Sequence, residues 1–254
     1  MRPRAALLKE LSASARRGEP LLAALDFDGV LAPIQLIPSQ ARMSARTRGL
    51  LRRLARTKRT TVIVVSGRAL PFLRKSLAGC GAALAGDHGL ELEGLGPRWR
   101  HPAFAELARH ARALARAARR ETAGLPGVEV ELKIATVSVH FRRAPAVRRD
   151  PEPLRAALQR LAPPGWRVFP GLMVWEFRPK VEWGKGHAIR FAADKLGARV
   201  LFIGDDWTDE EGFRHLGRGA WTVRVGPGPT AARWRLAGIA GVDKLLAAIA
   251  AARR

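Results

Sequence analysis

Asp26 and Asp28, two residues apart, close an apolar run and are followed by Gly29. Such a pair can set one carboxylate on a substrate and its neighbour beside it. The first would act as a nucleophile toward phosphorus, the second as acid on the leaving oxygen and base toward water. Asp pairs also cap turns, so the spacing alone leaves both readings open. Ser66-Gly67-Arg68 ends a second apolar run. A hydroxyl and open backbone N–H groups there suit a phosphate oxygen, or cap the next helix. Lys185, between Gly184 and Gly186, is a compact charge able to neutralise carboxylate or phosphate, or else a surface residue. Finally, Gly204-Asp205-Asp206-Trp207-Thr208-Asp209-Glu210 gathers four acids within six residues. They repel one another unless a cation is present, and oxygen ligands without His or Cys favour Mg2+. Helix capping by Thr208 and Asp209 is the alternative.

Each group stands where a strand-like run ends or a helix-like one begins, the places at which an open α/β sheet holds its ligands. Residues 7–17 read as a short helix and 21–27 as a buried strand. Residues 43–57 form an amphipathic helix with Leu50, Leu51 and Leu54 between arginines. A β-branched strand over 61–65, a helix over 70–77 and a short strand over 82–85 continue an alternation that predicts a parallel sheet with crossover helices. The rhythm breaks near Pro97. Residues 103–121 read as a helix, while 128–133 and 136–142 alternate apolar and polar as an antiparallel hairpin does. A helix over 151–161 and strands over 166–169 and 173–178 complete this block. After Gly184 the first rhythm resumes: helix 185–196, strand 199–204, helix 208–216, strand 221–225, helix 242–251. The expectation is two domains, one discontinuous, comprising residues 1–98 with 180–254, and 99–179. Alternation places Glu129, Glu131 and Lys133 on one face of the hairpin.

The chain has 254 residues, 47% hydrophobic and 26% charged, which excludes wholesale disorder. No apolar run approaches the roughly 18 uncharged residues of a membrane helix. Lys9, Arg16 and Arg17 interrupt the stretch after the basic start at Arg2 and Arg4, so no signal-peptide core is expected. Cys80 stands alone, which excludes an intramolecular disulfide and fits a cytoplasmic location. The net charge of +23 raises nucleic acid as a partner. However, Lys occupies only eight positions, and the many arginines are scattered beside Ala at helical spacing, as over 103–120. That pattern describes solvated helix faces, so no nucleic acid, membrane or obligate protein partner is expected. A basic surface can still steer an anionic substrate.

The four groups occur in the order, and at the element ends, seen in haloacid-dehalogenase-like phosphohydrolases, which they resemble. Within that superfamily the resemblance is to the trehalose-6-phosphate phosphatase family, over roughly residues 20–226. It is carried by Asp26-Phe27-Asp28-Gly29-Val30-Leu31-Ala32-Pro33-Ile34, Ser66-Gly67-Arg68, Gly86-Asp87-His88-Gly89-Leu90-Glu91 and the acidic run from Gly204. Glu131-x-Lys133, Val139-His140-Phe141-Arg142 and Glu176-Phe177-Arg178-Pro179 add to it. Phe27 stands where the family often has Tyr, and Val30 where it often has Thr.

The resemblance implies an α/β fold: a Rossmann-like parallel-sheet hydrolase core with an inserted α+β cap that sets specificity. Asp26 would be nucleophile and Mg2+ ligand; Asp28 the acid/base and a ligand through its backbone carbonyl. Asp205 would complete the ligands, supported by Asp206 and Asp209. Ser66 and Lys185 would hold the phosphoryl group. Gly67, Arg68, His88, Glu131, Lys133, Arg142, Glu176 and Arg178 are the expected substrate contacts. The implied reaction hydrolyses a small sugar phosphate, trehalose 6-phosphate, through an aspartyl-phosphate. The alternative is another sugar phosphate, of the sucrose 6-phosphate or mannosyl phosphoglycerate type.

Overall fold

The computed structural model describes residues 4–253. Residues 1–3 and 254, which include the basic start and the outer limits of the expected first domain, lie outside the described residues. In chain order the elements are α1 (Arg4–Arg16), β1 (Leu21–Leu25), α2 (Ala45–Ala55), β2 (Thr60–Val65), α3 (Leu70–Leu77), β3 (Ala83–Gly86), β4 (Glu91–Glu93) and β5 (Trp99–Arg100). Then come α4 (Phe104–Glu121), β6 (Glu129–Leu132), β7 (Val137–His140), α5 (Pro145–Arg149), α6 (Glu152–Leu161), β8 (Trp166–Gly171) and β9 (Val174–Pro179). The chain closes with α7 (Lys185–Leu196), β10 (Arg199–Gly204), α8 (Trp207–Leu216), β11 (Trp221–Val225), β12 (Trp234–Leu236) and α9 (Ile239–Ala252). These elements form two compact units. One runs up to Trp99 and resumes at Trp183; the other is Arg100–Glu182. Among the described residues no helix is long and apolar enough to cross a membrane.

The first unit is built on a sheet whose strand order, among the described residues, is β12-β11-β10-β1-β2-β3-β4-β5. Its strands from β12 to β3 run parallel, and β4 pairs antiparallel with β3. The unbroken apolar run of β1 follows from burial on both faces. Leu21, Ala23 and Leu25 join Leu11 of α1, Leu51 and Leu54 of α2, Leu73 of α3 and Leu245 of α9. Leu22 and Ala24 instead join Ala188 and Ile189 of α7 and Phe213 of α8. The result is three layers, helix on sheet on helix. From β1 the chain moves outward through β2 and β3. From β10, on the other side of β1, it moves the opposite way through β11 and β12. The strand order therefore reverses between β1 and β10, and ligands of an open sheet bind beyond the carboxyl ends at such a point. Behind it α7 and α8 meet backbone to backbone: a Cβ on Gly186 would lie 2.9 Å from Gly212 Cα.

The second unit is a four-stranded antiparallel sheet, order β6-β7-β9-β8, with α4 and α6 packed against it. α4 buries Leu107, Ala111, Leu114 and Ala118, and α6 buries Leu154 and Leu158. Pairing of Val137 with Phe177 and of Val139 with Trp175 makes one sheet face apolar. Glu131, Ser138 and Glu176 form a single row across three strands of the other, polar face.

Candidate active site

The residues beyond the ends of β1 and β10 converge on one amine. Asp26 extends β1, its N–H bonded to the Ile203 carbonyl of β10 at 2.9 Å. Its Oδ1 accepts the Phe27 N–H at 2.7 Å, and its Oδ2 lies 3.0 Å from Lys185 Nζ. Lys185 opens α7, is 3% exposed, and donates to Asp209 Oδ1 at 2.8 Å, with Asp206 Oδ1 at 3.8 Å. The remaining oxygen of Asp209 accepts the N–H groups of Asp205 (2.8 Å) and Asp206 (3.0 Å). Asp206 is the cap of α8: its Oδ1 accepts the Asp209 N–H at 2.9 Å and the Thr208 hydroxyl at 2.7 Å. This is a reciprocal capping box with Asp206 at the cap and Asp209 three residues in, so Thr208 serves the cap and does not occupy it.

Such crowding has an electrostatic signature. Burial raises the Asp26 carboxyl to about 7; Lys185 opposes this, and Asp206, Asp205 and Asp28 add to it. Asp205 rises to about 8, first through burial and then through Asp209 and Asp206. Burial pushes Asp206 the same way, but Lys185 and the bonds from Thr208 and Asp209 carry it below the usual carboxylate range. Burial also works against the Lys185 charge, yet Asp206, Asp209 and Asp26 hold its pKa well above the ordinary value.

Oxygens of Asp26, Asp205 and Asp209 lie within 4.8 Å of one another. Asp209, with one oxygen on Lys185 and the other on two backbone N–H groups, is the most fully engaged of the three, which suits it to support. Gly29 makes room for Asp205. Its φ is +72°, and a Cβ there would fall 1.9 Å from Asp205 Oδ2. The donors are all hard oxygens, and burial holds all three carboxylates above their ordinary pKa, so these residues fit a divalent cation of the Mg2+ kind.

Asp28 turns its carboxylate to Arg68, in a two-pronged pair of 2.8 Å bonds from Nε and Nη2. Arg68 in turn lies over the Phe72 ring, 4.6 Å from its centroid. Ser66 follows β2, its N–H on the Ala85 carbonyl. Its hydroxyl accepts the Arg68 N–H at 3.2 Å, while Ala69 holds the cap position of α3, so Ser66 is no helix cap. The His88 ring lies 2.7 Å from where a Cβ on Gly67 would be. Asp87 and His88 take φ of 47° and 58°, strained values for side-chain-bearing residues. Their N–H groups bond the Arg68 and Ser66 carbonyls, which ties this turn to the loop after β2.

Within the second unit, Lys133 Nζ and Ser138 Oγ (3.2 Å) both donate to Glu176 Oε1. His140 Nε2 bonds Glu131 Oε2 at 2.9 Å. Lys133 and Glu176 thus pair on the polar face, and Glu131 shares that face two strands from Glu176. Arg178, two residues beyond Glu176, lies over the Phe169 ring at 5.0 Å. The Arg142 guanidinium donates to the Leu172 carbonyl at 3.0 Å. Ser138 and His140 were not among the expected site residues. Strand alternation puts them on the same face as Glu131 and Glu176, a signal available in the sequence.

Comparison with known proteins gives a consistent result. The profile of the trehalose-phosphatase family matches residues 24–237. A bifunctional trehalose-6-phosphate synthase/phosphatase from Thermoproteus tenax is 35% identical over 227 residues, covering 87% of this chain and 31% of that protein. A probable trehalose-phosphate phosphatase 4 from Oryza sativa subsp. japonica is 31% identical over 216 residues, covering 80% of this chain and 58% of that one. The chain thus spans between a third and three fifths of the length of these curated relatives. Among solved structures, the C-terminal domain of a trehalose-6-phosphate phosphatase from C. albicans superposes with a TM-score of 0.84 at 24% identity, covering 96% of each chain, a likeness of fold.

Proposed function

Because the chain belongs to the trehalose-phosphatase family, we propose that it hydrolyses trehalose 6-phosphate to trehalose and phosphate, using Asp26 as nucleophile. The observation that carries this reading is the pairing of buried Asp26 with buried Lys185 at 3.0 Å, at the point where the strand order reverses. A carboxylate attacking a phosphate monoester must overcome like-charge repulsion, and Lys185 supplies a fixed positive charge against it. Asp209 holds that ammonium in place, and its backbone acceptor bonds hold Asp205 and Asp206. Asp26 and Asp205 would hold Mg2+, with Asp209 in support and Asp28 through its backbone carbonyl. When bound, the ion would neutralise phosphoryl charge and keep both carboxylates ionised.

The covalent step forms a bond from Asp26 oxygen to phosphorus as the bond to the sugar oxygen breaks. Asp28 would give that oxygen its proton, then take one from the water that cleaves the aspartyl-phosphate. A carboxylate bonded twice to Arg68 is an acceptor only, so donating a proton requires Asp28 to part from Arg68. Ser66 and the backbone of Gly67 and Arg68 would bind phosphoryl oxygens. We assign recognition of the sugar to the second unit, through Glu131, Lys133 and Glu176, whose oxygens and amine match hydroxyl groups.

Purified protein with Mg2+ should release phosphate from trehalose 6-phosphate faster than from sucrose 6-phosphate or mannosyl phosphoglycerate, ranked by kcat/KM. Asp26→Asn should lower kcat by at least about a thousandfold. Unchanged turnover in that variant removes Asp26 as nucleophile, and a different first-ranked substrate redirects the sugar assignment.

A further inference from the structure

The two carboxylates assigned to the sugar are served differently by strand β7, and the difference concerns residues to which no role has been given. Along β7, Ser138 and His140 point to the polar face. Ser138 stands directly opposite Glu131 on one side and Glu176 on the other. Neighbouring strands are about 4.8 Å apart, so the row spans about 10 Å. Yet Ser138 gives its hydroxyl to Glu176, at 3.2 Å, and Glu131 takes its bond diagonally from His140, at 2.9 Å. Each carboxylate therefore has its own donor from the central strand, and neither donor is shared. A carboxylate only accepts, so Nε2 of His140 carries the proton in this bond. Glu131 is the more open of the two, its side chain 35% exposed against 11% for Glu176.

We propose that His140 and Ser138 are positioning residues for sugar recognition: each clamps one oxygen of a specificity carboxylate and so aims the carboxylate at hydroxyl groups of the substrate. The inference rests on the reading of Glu131 and Glu176 as sugar contacts. Its chemistry is that a carboxylate free to rotate loses entropy when a hydroxyl binds, whereas one held by a second donor has already lost it. The nature of the donor matters as well. A hydroxyl is neutral, and imidazole can donate from Nε2 without charge. His140 thus holds Glu131 while leaving its negative charge to the sugar, whereas Ser138 fixes the Glu176 oxygen that Lys133 already pairs. An Arg in place of His140 would compete with the sugar for that charge.

The test uses the intact protein and two substrates, trehalose 6-phosphate and p-nitrophenyl phosphate, the second having no sugar to recognise. His140→Ala is expected to lower the ratio of kcat/KM for trehalose 6-phosphate to that for p-nitrophenyl phosphate about tenfold, chiefly through KM, as loss of one hydrogen bond to a charged group does. His140→Gln, which can present an N–H near the Nε2 position, is expected to recover most of the ratio. Ser138→Ala is expected to act in the same direction. An unchanged ratio in His140→Ala overturns the proposal. So does an equal loss on both substrates that His140→Gln fails to rescue, which would mark a purely structural role. If Glu131→Gln and Glu176→Gln themselves leave the ratio unchanged, the assignment of the sugar to these carboxylates falls, and the inference falls with it.

Discussion

Carboxylates cluster at two places in this chain, and the two are held by opposite means. Beyond β1 and β10, three aspartates, Asp26, Asp206 and Asp209, surround one buried ammonium group, with Asp205 beside them. Lys185, Asp26 and Asp209 are each at most 3% exposed, and the partners are ions or backbone N–H groups. On the polar face of the β6-β7-β9-β8 sheet there are two carboxylates, half-open Glu131 and buried Glu176, touched by a hydroxyl, an imidazole and one lysine. Burial makes Asp26, Asp205 and Asp209 costly to ionise, which favours a bound cation beside them. In the second, neutral donors serve Glu131 from His140 and Glu176 from Ser138, with Lys133 pairing Glu176, an arrangement that suits discrimination between hydroxyl patterns. On the proposed reading, chemistry and recognition are divided between these two surroundings, one in each unit.

If that division holds, the largest effect comes from the buried amine. Lys185→Ala leaves Asp26, Asp206 and Asp209 without their shared counter-charge and is expected to cost about 3–5 kcal/mol of stability in the metal-free protein, read by urea unfolding. A loss near zero would mean that the acids find another partner and that burial is not what organises the cluster.

Next comes the pH dependence of the metal-free protein. Folded Asp26 and Asp205 titrate near 7 and 8, well above the unfolded carboxylate value near ~4. Across that window the folded state binds more protons than the unfolded one, so stability falls as pH rises from about 4 to 8. Thermal unfolding should show this decline, Asp205→Asn should reduce it, and added Mg2+ should raise Tm most at the upper end. A flat profile would place the first cluster in the same regime as the second.

The smallest effect belongs to the second cluster. Glu176→Gln is expected to raise KM for trehalose 6-phosphate about tenfold while changing stability by less than about 1.5 kcal/mol, measured by kinetics and urea unfolding together. A large fall in stability with KM unchanged would make Glu176 a structural residue.

Much of this architecture is legible in the residues alone. β1, β2 and β10 show as continuous apolar runs because helices cover both faces of the sheet, and the Leu spacing of α2 and α3 shows which side they bury. Asp26, Ser66, Lys185 and Asp205 are readable because each lies where such a run stops or a helix starts. What escaped was short or long-range. β4 carries the fully buried Glu91, and β12 is three residues with Arg235 at its centre, so neither has the pattern of a buried strand. α5 is a five-residue turn of helix begun by Pro145, too brief for any periodicity. The Arg68–Asp28 pair spans 40 residues of sequence. The partnership of His140 with Glu131 was hidden for another reason: alternation tells which face a side chain takes, but not which of two strand neighbours it will choose.

The contact between Gly186 and Gly212 carries a consequence of its own. Lys185 rides on α7 next to one of these glycines, and Asp209 lies one turn before the other on α8. The 2.8 Å between amine and carboxylate is thus a tolerance set by the spacing of two helix backbones, with no side chain between them to act as a shim. A single methyl group at Gly186 would widen that gap and loosen the fit of charges at its mouth. The most exacting dimension of the site is held by the absence of atoms.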